Sequence, residues 1–181
     1  MRVLVTGPQG SGKSTQAVLL AQDLGVPYIQ LGEILRTIAL IDDSKVASVV
    51  GNALSKGKLV PTKIVAQIIN KRLTEEDCKK GFVLDGFPRT SEDIKNFNSK
   101  LDKVFYLKIS EDEGVRRLLK RGRSDDTEEL IRKRLRAYYL ETEPILEVFK
   151  KSGILVEIDG ERPISQIHKD IVSKLKIGDV H

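Results

Sequence analysis

The sequence predicts an α/β fold in one domain, with a five-stranded parallel sheet flanked by helices. Three observations carry this. Short runs rich in Val, Ile, Leu and Phe alternate with longer stretches of helical spacing, the pattern of parallel strands joined by helical crossovers. The 181 residues fall within the usual range for one domain and suffice for a sizeable core. No internal repeat, low-complexity tract or Gly/Ser linker divides them.

Taken in order, strands are predicted over Arg2–Thr6, Tyr28–Gln30, Phe82–Leu84, Lys103–Ile109 and Ile154–Ile158. Between them, Thr15–Leu24 places Ala17, Leu20, Ala21 and Leu24 on one helical face, and Thr62–Leu73 does the same with Val65, Ile68, Ile69 and Leu73. Glu128–Lys151 carries Ile131, Leu135 and Tyr138 on a stripe, with a kink or break expected at Pro144, whose ring excludes a backbone N–H.

Composition narrows the class. Hydrophobic residues make up 40% and charged residues 31%, which suits a soluble folded chain. Apolar runs such as Val18-Leu19-Leu20-Ala21 stop far short of the roughly 18 residues a membrane helix needs. Met1–Gly7 is too short and glycine-rich for a signal-peptide apolar region. The single cysteine, Cys78, excludes an internal disulfide framework and a multi-cysteine zinc site. A cytoplasmic protein is expected, and a monomer by default. The net charge of +5, from 31 basic and 26 acidic residues, suits either nucleic acid or a pocket for phosphorylated small molecules. With 5% aromatics and no tryptophan to stack on bases, nucleic acid is the weaker reading.

The strongest motif is Gly7-Pro8-Gln9-Gly10-Ser11-Gly12-Lys13-Ser14-Thr15, which fits G-x-x-x-x-G-K-[ST] between a strand and an amphipathic helix. Its glycines let the backbone curl so that successive N–H groups face phosphate oxygens. Lys13 brings an ammonium to the β- and γ-phosphates, Ser14 offers a hydroxyl to Mg²⁺, and the helix adds its positive dipole end. The loop alone leaves kinase, ATPase and GTPase open. Further on, Asp85 stands at the carboxyl end of a predicted strand, where ligands bind in open α/β sheets. Its carboxylate can hold Mg²⁺ through water, and the Gly86-Phe87-Pro88 turn aims Arg89.

Together with Gly32-Glu33-Ile34-Leu35-Arg36, Gly57-Lys58-Leu59-Val60-Pro61, the run Gly81 to Thr90, Arg123-Ser124-Asp125-Asp126 leading to Ile131 through Leu135, and Asp159-Gly160, these motifs make the chain closely resemble the adenylate kinase family of nucleoside monophosphate kinases over nearly its whole length. The resemblance implies a phosphate-loop kinase fold with a small helical acceptor-binding insert, about 31–60, and a minimal lid, about 121–126. It implies Mg²⁺-dependent transfer of the γ-phosphoryl of ATP to AMP, giving two ADP. On this basis Gly10, Ser11, Gly12, Lys13, Ser14 and Thr15 would cradle ATP, with Arg121 on the donor side and Arg162 near the donor adenine. Arg36 and Arg89 would hold the acceptor phosphate, and Lys58, Leu59, Val60, Gly86, Phe87 and Pro88 would line the acceptor pocket, with Leu31 and Asp93 at the base. Lys13, Arg89, Arg123 and Arg134 would act on the phosphoryl group in flight, with Arg117 a weaker candidate. Ser14 and Asp85 would serve Mg²⁺, Asp85 through water.

Such chemistry needs no general base, because the attacking phosphate oxygen is already anionic at neutral pH. His168 is expected on a helix surface and His181 at the frayed end, neither in a motif, and Cys78 packed or near a turn. Arg116, Arg132, Lys133 and Arg136 are expected to form a solvated face paired with Glu111, Asp112, Glu113, Glu128 and Glu129.

Three departures from the family pattern stand out. The lid is reduced to a nearly continuous Lys120-Arg121-Gly122-Arg123, so either the arginine-bearing helix ends close the site or ATP hydrolysis leaks. Leu31 and Asp93 replace a threonine and a glutamine of the base pocket, and an ionised Asp93 would complement a guanine edge better than adenine N1. Thr90 favours adenylate over the pyrimidine monophosphates. Ser14 stands where the family often has glycine, strengthening its Mg²⁺ role. The alternatives are a kinase for GMP, CMP or UMP, or a nucleotide switch or nucleic-acid-associated ATPase.

Overall fold

The computed structural model describes residues 1–56, 58, 60–122 and 127–176. The chain runs β1 (Arg2–Thr6), α1 (Lys13–Leu24), β2 (Tyr28–Gln30), α2 (Leu31–Ile41), α3 (Lys45–Ser55), α4 (Thr62–Leu73), β3 (Phe82–Asp85), α5 (Ser91–Asn96), β4 (Lys103–Lys108), α6 (Glu111–Arg121), α7 (Glu128–Ala137), α8 (Leu146–Lys151), β5 (Leu155–Asp159) and α9 (Ile164–Lys176). The five strands form one sheet in the order β2-β3-β1-β4-β5, and every pairing is parallel. β1 is central. Its partners β3 and β4 lie on opposite sides, with Val5 level with Asp85 and with Phe105. This aligns the carboxyl ends of the three middle strands, where the chain leaves the sheet toward the phosphate loop, the Asp85 turn and α6.

Because both faces are covered, the central strands read as continuous apolar runs rather than alternating ones. Alternate side chains nevertheless go to two cores. Val3, Val5, Val83, Phe105 and Leu107 pack with Ala17 and Leu20 of α1 and Ile167 and Ile171 of α9. Leu4, Leu84, Val104 and Tyr106 pack on the other face with residues from α2, α3, α4 and α8. α1 and α9 are also joined by polar contacts: Gln16 Nε2 donates to Ile164 O at 2.9 Å, and His168 Nε2 lies 2.8 Å from Asp23 Oδ2. His168 is therefore a half-covered bridge between helices, more enclosed than a surface position.

The predicted strands all form, with ends shifted by one residue at β3, β4 and β5. The long Glu128–Lys151 stretch breaks as its proline requires, but over a wider span. α7 gives way to a π turn over Tyr138–Thr142 and a 3₁₀ turn over Glu143–Ile145 before α8 begins. Pro144 cannot donate to the carbonyl four residues earlier, and the chain loosens upstream of it. Ile131, Leu135 and Tyr138 form the buried stripe as expected. Cys78 is buried, and loss of hydration raises its thiol pKa to about 11, which keeps it protonated and unreactive. No helix among the described residues is long and apolar enough to cross a membrane.

Candidate active site

The phosphate loop closes on itself between β1 and α1. Ser11 N donates to Pro8 O at 3.2 Å, and Gly12, at φ +83°, forms the left-handed N-cap from which α1 springs at Lys13, two residues earlier than the apolar periodicity suggests. Gly10 sits at φ +85°, and a Cβ there would come within 3.0 Å of Gly114 O in α6, so glycine alone allows this approach. Gly10, Gly12, Lys13, Ser14 and Thr15 line a cavity of about 780 Å³ together with Arg117, Arg121 and Arg36, so Arg36, expected at the acceptor phosphate, shares the loop's cavity and not that of Arg89. Ser11 is fully buried in the loop, lines neither cavity, and has its N–H taken up by Pro8 O. Lys13 Nζ reaches Pro8 O at 3.4 Å. Dehydration within the cleft pushes its pKa down, the Asp85 carboxylate opposes this, and the nearby Arg89 and Arg121 add to it. An anionic ligand relieves that cost.

At the end of β3, Asp85 is 2% exposed and its Oδ2 accepts from Ser14 Oγ at 2.6 Å and from Tyr28 OH at 3.1 Å. Its Oδ1 is sealed from solvent with no hydrogen-bond partner among the described residues. A buried carboxylate oxygen left unpaired is costly, and one beside a serine hydroxyl suits a hydrated divalent cation. Ser14 and Asp85 thus stand together as the metal reading requires. Burial and the Asp85 charge both raise the Tyr28 pKa, so the phenol keeps its proton for that hydrogen bond.

A second cavity, of about 500 Å³, opens beyond the loop and is lined by Gly86, Pro88, Arg89, Thr90, Arg134 and Tyr138, with Lys13 and Gln9. Gly86, at φ +86°, turns the chain so that Arg89 Nε donates to Gly86 O at 2.7 Å, and a Cβ on Gly86 would press within 3.2 Å of that guanidinium. Arg89 is exposed at the open cleft, yet the protein mass around it lowers its pKa by partial desolvation, against the pull of Asp85 and Asp93. The two cavities meet at Lys13 and Gln9, which line both.

Some candidates lie elsewhere. Arg162 Nη2 is bonded to Asp170 Oδ2 at 2.6 Å and its Nε lies 3.4 Å from Asp159 Oδ2, at the start of α9 and away from both cavities. Phe87 is 1% exposed and packs edge-on against Phe97, because its ring belongs to the core below the turn; it offers no side-chain contact to a ligand. Asp93 is a helix cap: its Oδ2 accepts from Arg89 N at 2.9 Å and Thr90 N at 3.0 Å, while Thr90 Oγ1 accepts from Asp93 N at 3.1 Å. Leu31 and Val60 are buried at the rim of the acceptor-side core, and Lys58 is exposed. Leu59 and Arg123 lie outside the described residues, as does the 123–126 part of the expected lid.

The expected solvated face is present in part. Arg116 pairs with Glu113, and Arg132 with Glu111, Asp112 and Glu128. Arg117 does more: it pairs with Glu113 and its Nη1 donates to Gly10 O at 3.3 Å, tying α6 to the phosphate loop. Sequence reasoning passed over Tyr28 and Gln9. Tyr28 meets Asp85 only once β2 lies beside β3, and Gln9 occupies one of the unspecified positions of the loop motif.

Comparison with known proteins agrees with this geometry. A family model described as Adenylate kinase matches residues 5–154. Among curated relatives, the adenylate kinase of Nocardia farcinica is 39% identical over 93% of this chain and 96% of its own length. That of Bifidobacterium longum is 38% identical over 97% of this chain and all of its own. That of Archaeoglobus fulgidus is 33% identical over 97% and 98%. With the loop, the Asp85 turn and the joined cavities in place, the chain belongs to the adenylate kinase family.

Proposed function

We propose that the protein catalyses reversible, Mg²⁺-dependent transfer of the γ-phosphoryl group of ATP to AMP, giving two ADP. The observation that carries this reading is the meeting, at Lys13, of the phosphate-loop cavity and a second cavity lined by Arg89 and Arg134. A pure ATPase has no need of the second. In this reading the loop backbone and Lys13 hold the donor phosphates, Arg89 in the second cavity and Arg36 on the wall of the first grip the acceptor phosphate between them, and Arg121, Arg123 and Arg134 neutralise charge on the moving group. Guanidinium forks suit phosphate oxygens because they bind two at once. An acceptor oxygen forms the new P–O bond as the bond to the β-phosphate oxygen breaks, and no proton changes place. The residues supply alignment, charge neutralisation and exclusion of water. Ser14 and Asp85 would hold Mg²⁺, Asp85 through water; the unpaired Asp85 Oδ1 beside the Ser14 hydroxyl fits such an ion. When bound, it draws charge from the β- and γ-phosphate oxygens. The same reading keeps the enzyme a cytoplasmic monomer.

ADP supplied alone with Mg²⁺ tests reversibility. Equal amounts of ATP and AMP are expected, resolved by chromatography. Release of inorganic phosphate without ATP and AMP would refute the kinase reading.

A further inference from the structure

Gln9 is the one residue besides Lys13 that lines both cavities among the described residues. Its side-chain oxygen Oε1 is sealed from solvent and has no hydrogen-bond partner among the described residues. A buried acceptor left unpaired costs stability until a donor N–H reaches it, and the cations of the cleft are the donors at hand. The same surroundings say what the other end of the amide, Nε2, would meet. Lys13, Arg89 and Arg134 line the same space, and the cations already crowd one another: Arg89 and Arg121 both push the Lys13 pKa down. Another cation would deepen that repulsion, whereas a neutral amide adds a donor without adding charge. Its two ends suit such a setting, since Nε2 donates to an anionic oxygen while Oε1 accepts from an ammonium or guanidinium N–H.

We propose that Gln9 is a catalytic residue, whose side-chain amide bonds an oxygen of the phosphoryl group as that group passes from the donor cavity to the acceptor cavity. This rests on the phosphoryl-transfer reading above. The bond to the β-phosphate oxygen breaks, the bond to the acceptor oxygen forms, and Gln9 Nε2 donates to one of the three oxygens that the moving phosphorus keeps throughout. Oε1 meanwhile links the group to the surrounding cations, so that Gln9 and Lys13 together mark the crossing point. The amide acts mainly on the group in transit, and its loss therefore lowers the rate of transfer more than the binding of either nucleotide.

Single-turnover rapid quench with ATP, AMP and Mg²⁺, on the wild-type enzyme, Gln9→Leu and Gln9→Glu, tests this. Gln9→Leu keeps the bulk and removes both polar ends. Its transfer rate constant is expected to fall about 10- to 100-fold, with the dissociation constants of ATP and AMP within about threefold of wild type. Gln9→Glu is expected to be slower still, because its anion faces phosphate oxygens; it also decides the matter should Gln9→Leu lose its native circular dichroism. Transfer within twofold of wild type in Gln9→Leu, a loss confined to the dissociation constants, or a Gln9→Glu enzyme as fast as wild type would each overturn the assignment while leaving the kinase reading intact. A wild-type enzyme that transfers nothing to AMP would overturn both.

Discussion

Asp93 shows how one residue can be misread from sequence position alone. At the place where the family carries a base-reading glutamine, a carboxylate suggests altered base choice. In the structure that carboxylate caps α5, accepting from the N–H groups of Arg89 and Thr90. The Thr90-x-x-Asp93 spacing is a capping-box signature and was legible as such. The cap also fixes the backbone from which the Arg89 guanidinium is launched. Asp93→Ala should therefore cost about 1–2 kcal/mol of stability in urea unfolding. It should weaken acceptor binding while leaving the order of preference among monophosphates unchanged. A reordered preference would return Asp93 to the base pocket.

Among elements, the most informative join is between α6 and the phosphate loop. Glu113 holds Arg116 and Arg117, and Arg117 reaches Gly10 O. Hydrogen bonds from Arg116 and then Arg117 hold the Glu113 carboxyl at about 2, against an ordinary value of 4.5. The folded pKa is the lower one, so this contribution to stability is complete above about pH 4.5 and is lost as pH falls toward 2. The pairs are partly solvated and screened, which limits the effect to about 1 kcal/mol. Wild type should exceed Glu113→Gln by that amount at pH 6 and converge with it near pH 2, in denaturant titrations at low salt; a pH-independent gap would contradict the assignment. Most elements were readable because each is carried by a local pattern: five apolar runs, the glycine-lysine loop and the helical stripe through Ile131 and Leu135. Pro144 announced a break, but nothing local announced a π turn reaching back to Tyr138. Tyr28 against Asp85 and Arg117 against Gly10 depend on strand order and helix docking, which no single segment encodes.

At the scale of the molecule, the parallel sheet aligns the carboxyl ends of β1, β3 and β4, and the cleft forms where the connections leave in different directions. Two cavities that meet at Lys13 and Gln9 make a site for two phosphorylated ligands end to end. Binding both in line and excluding water supplies most of what such a reaction requires. The departure at Asp93 is taken up by the α5 cap, and Lys13, Arg36, Arg89 and Arg134 stand around the cleft. The most direct test is the initial rate of nucleoside diphosphate formation from ATP and Mg²⁺ with AMP, GMP, CMP, UMP or no acceptor, and Lys13→Ala as the blank. Membership of the adenylate kinase family, with Lys13 at the meeting of the cavities, predicts a rate with AMP that far exceeds all others and disappears in Lys13→Ala. A rate that no acceptor raises above ATP alone would contradict it.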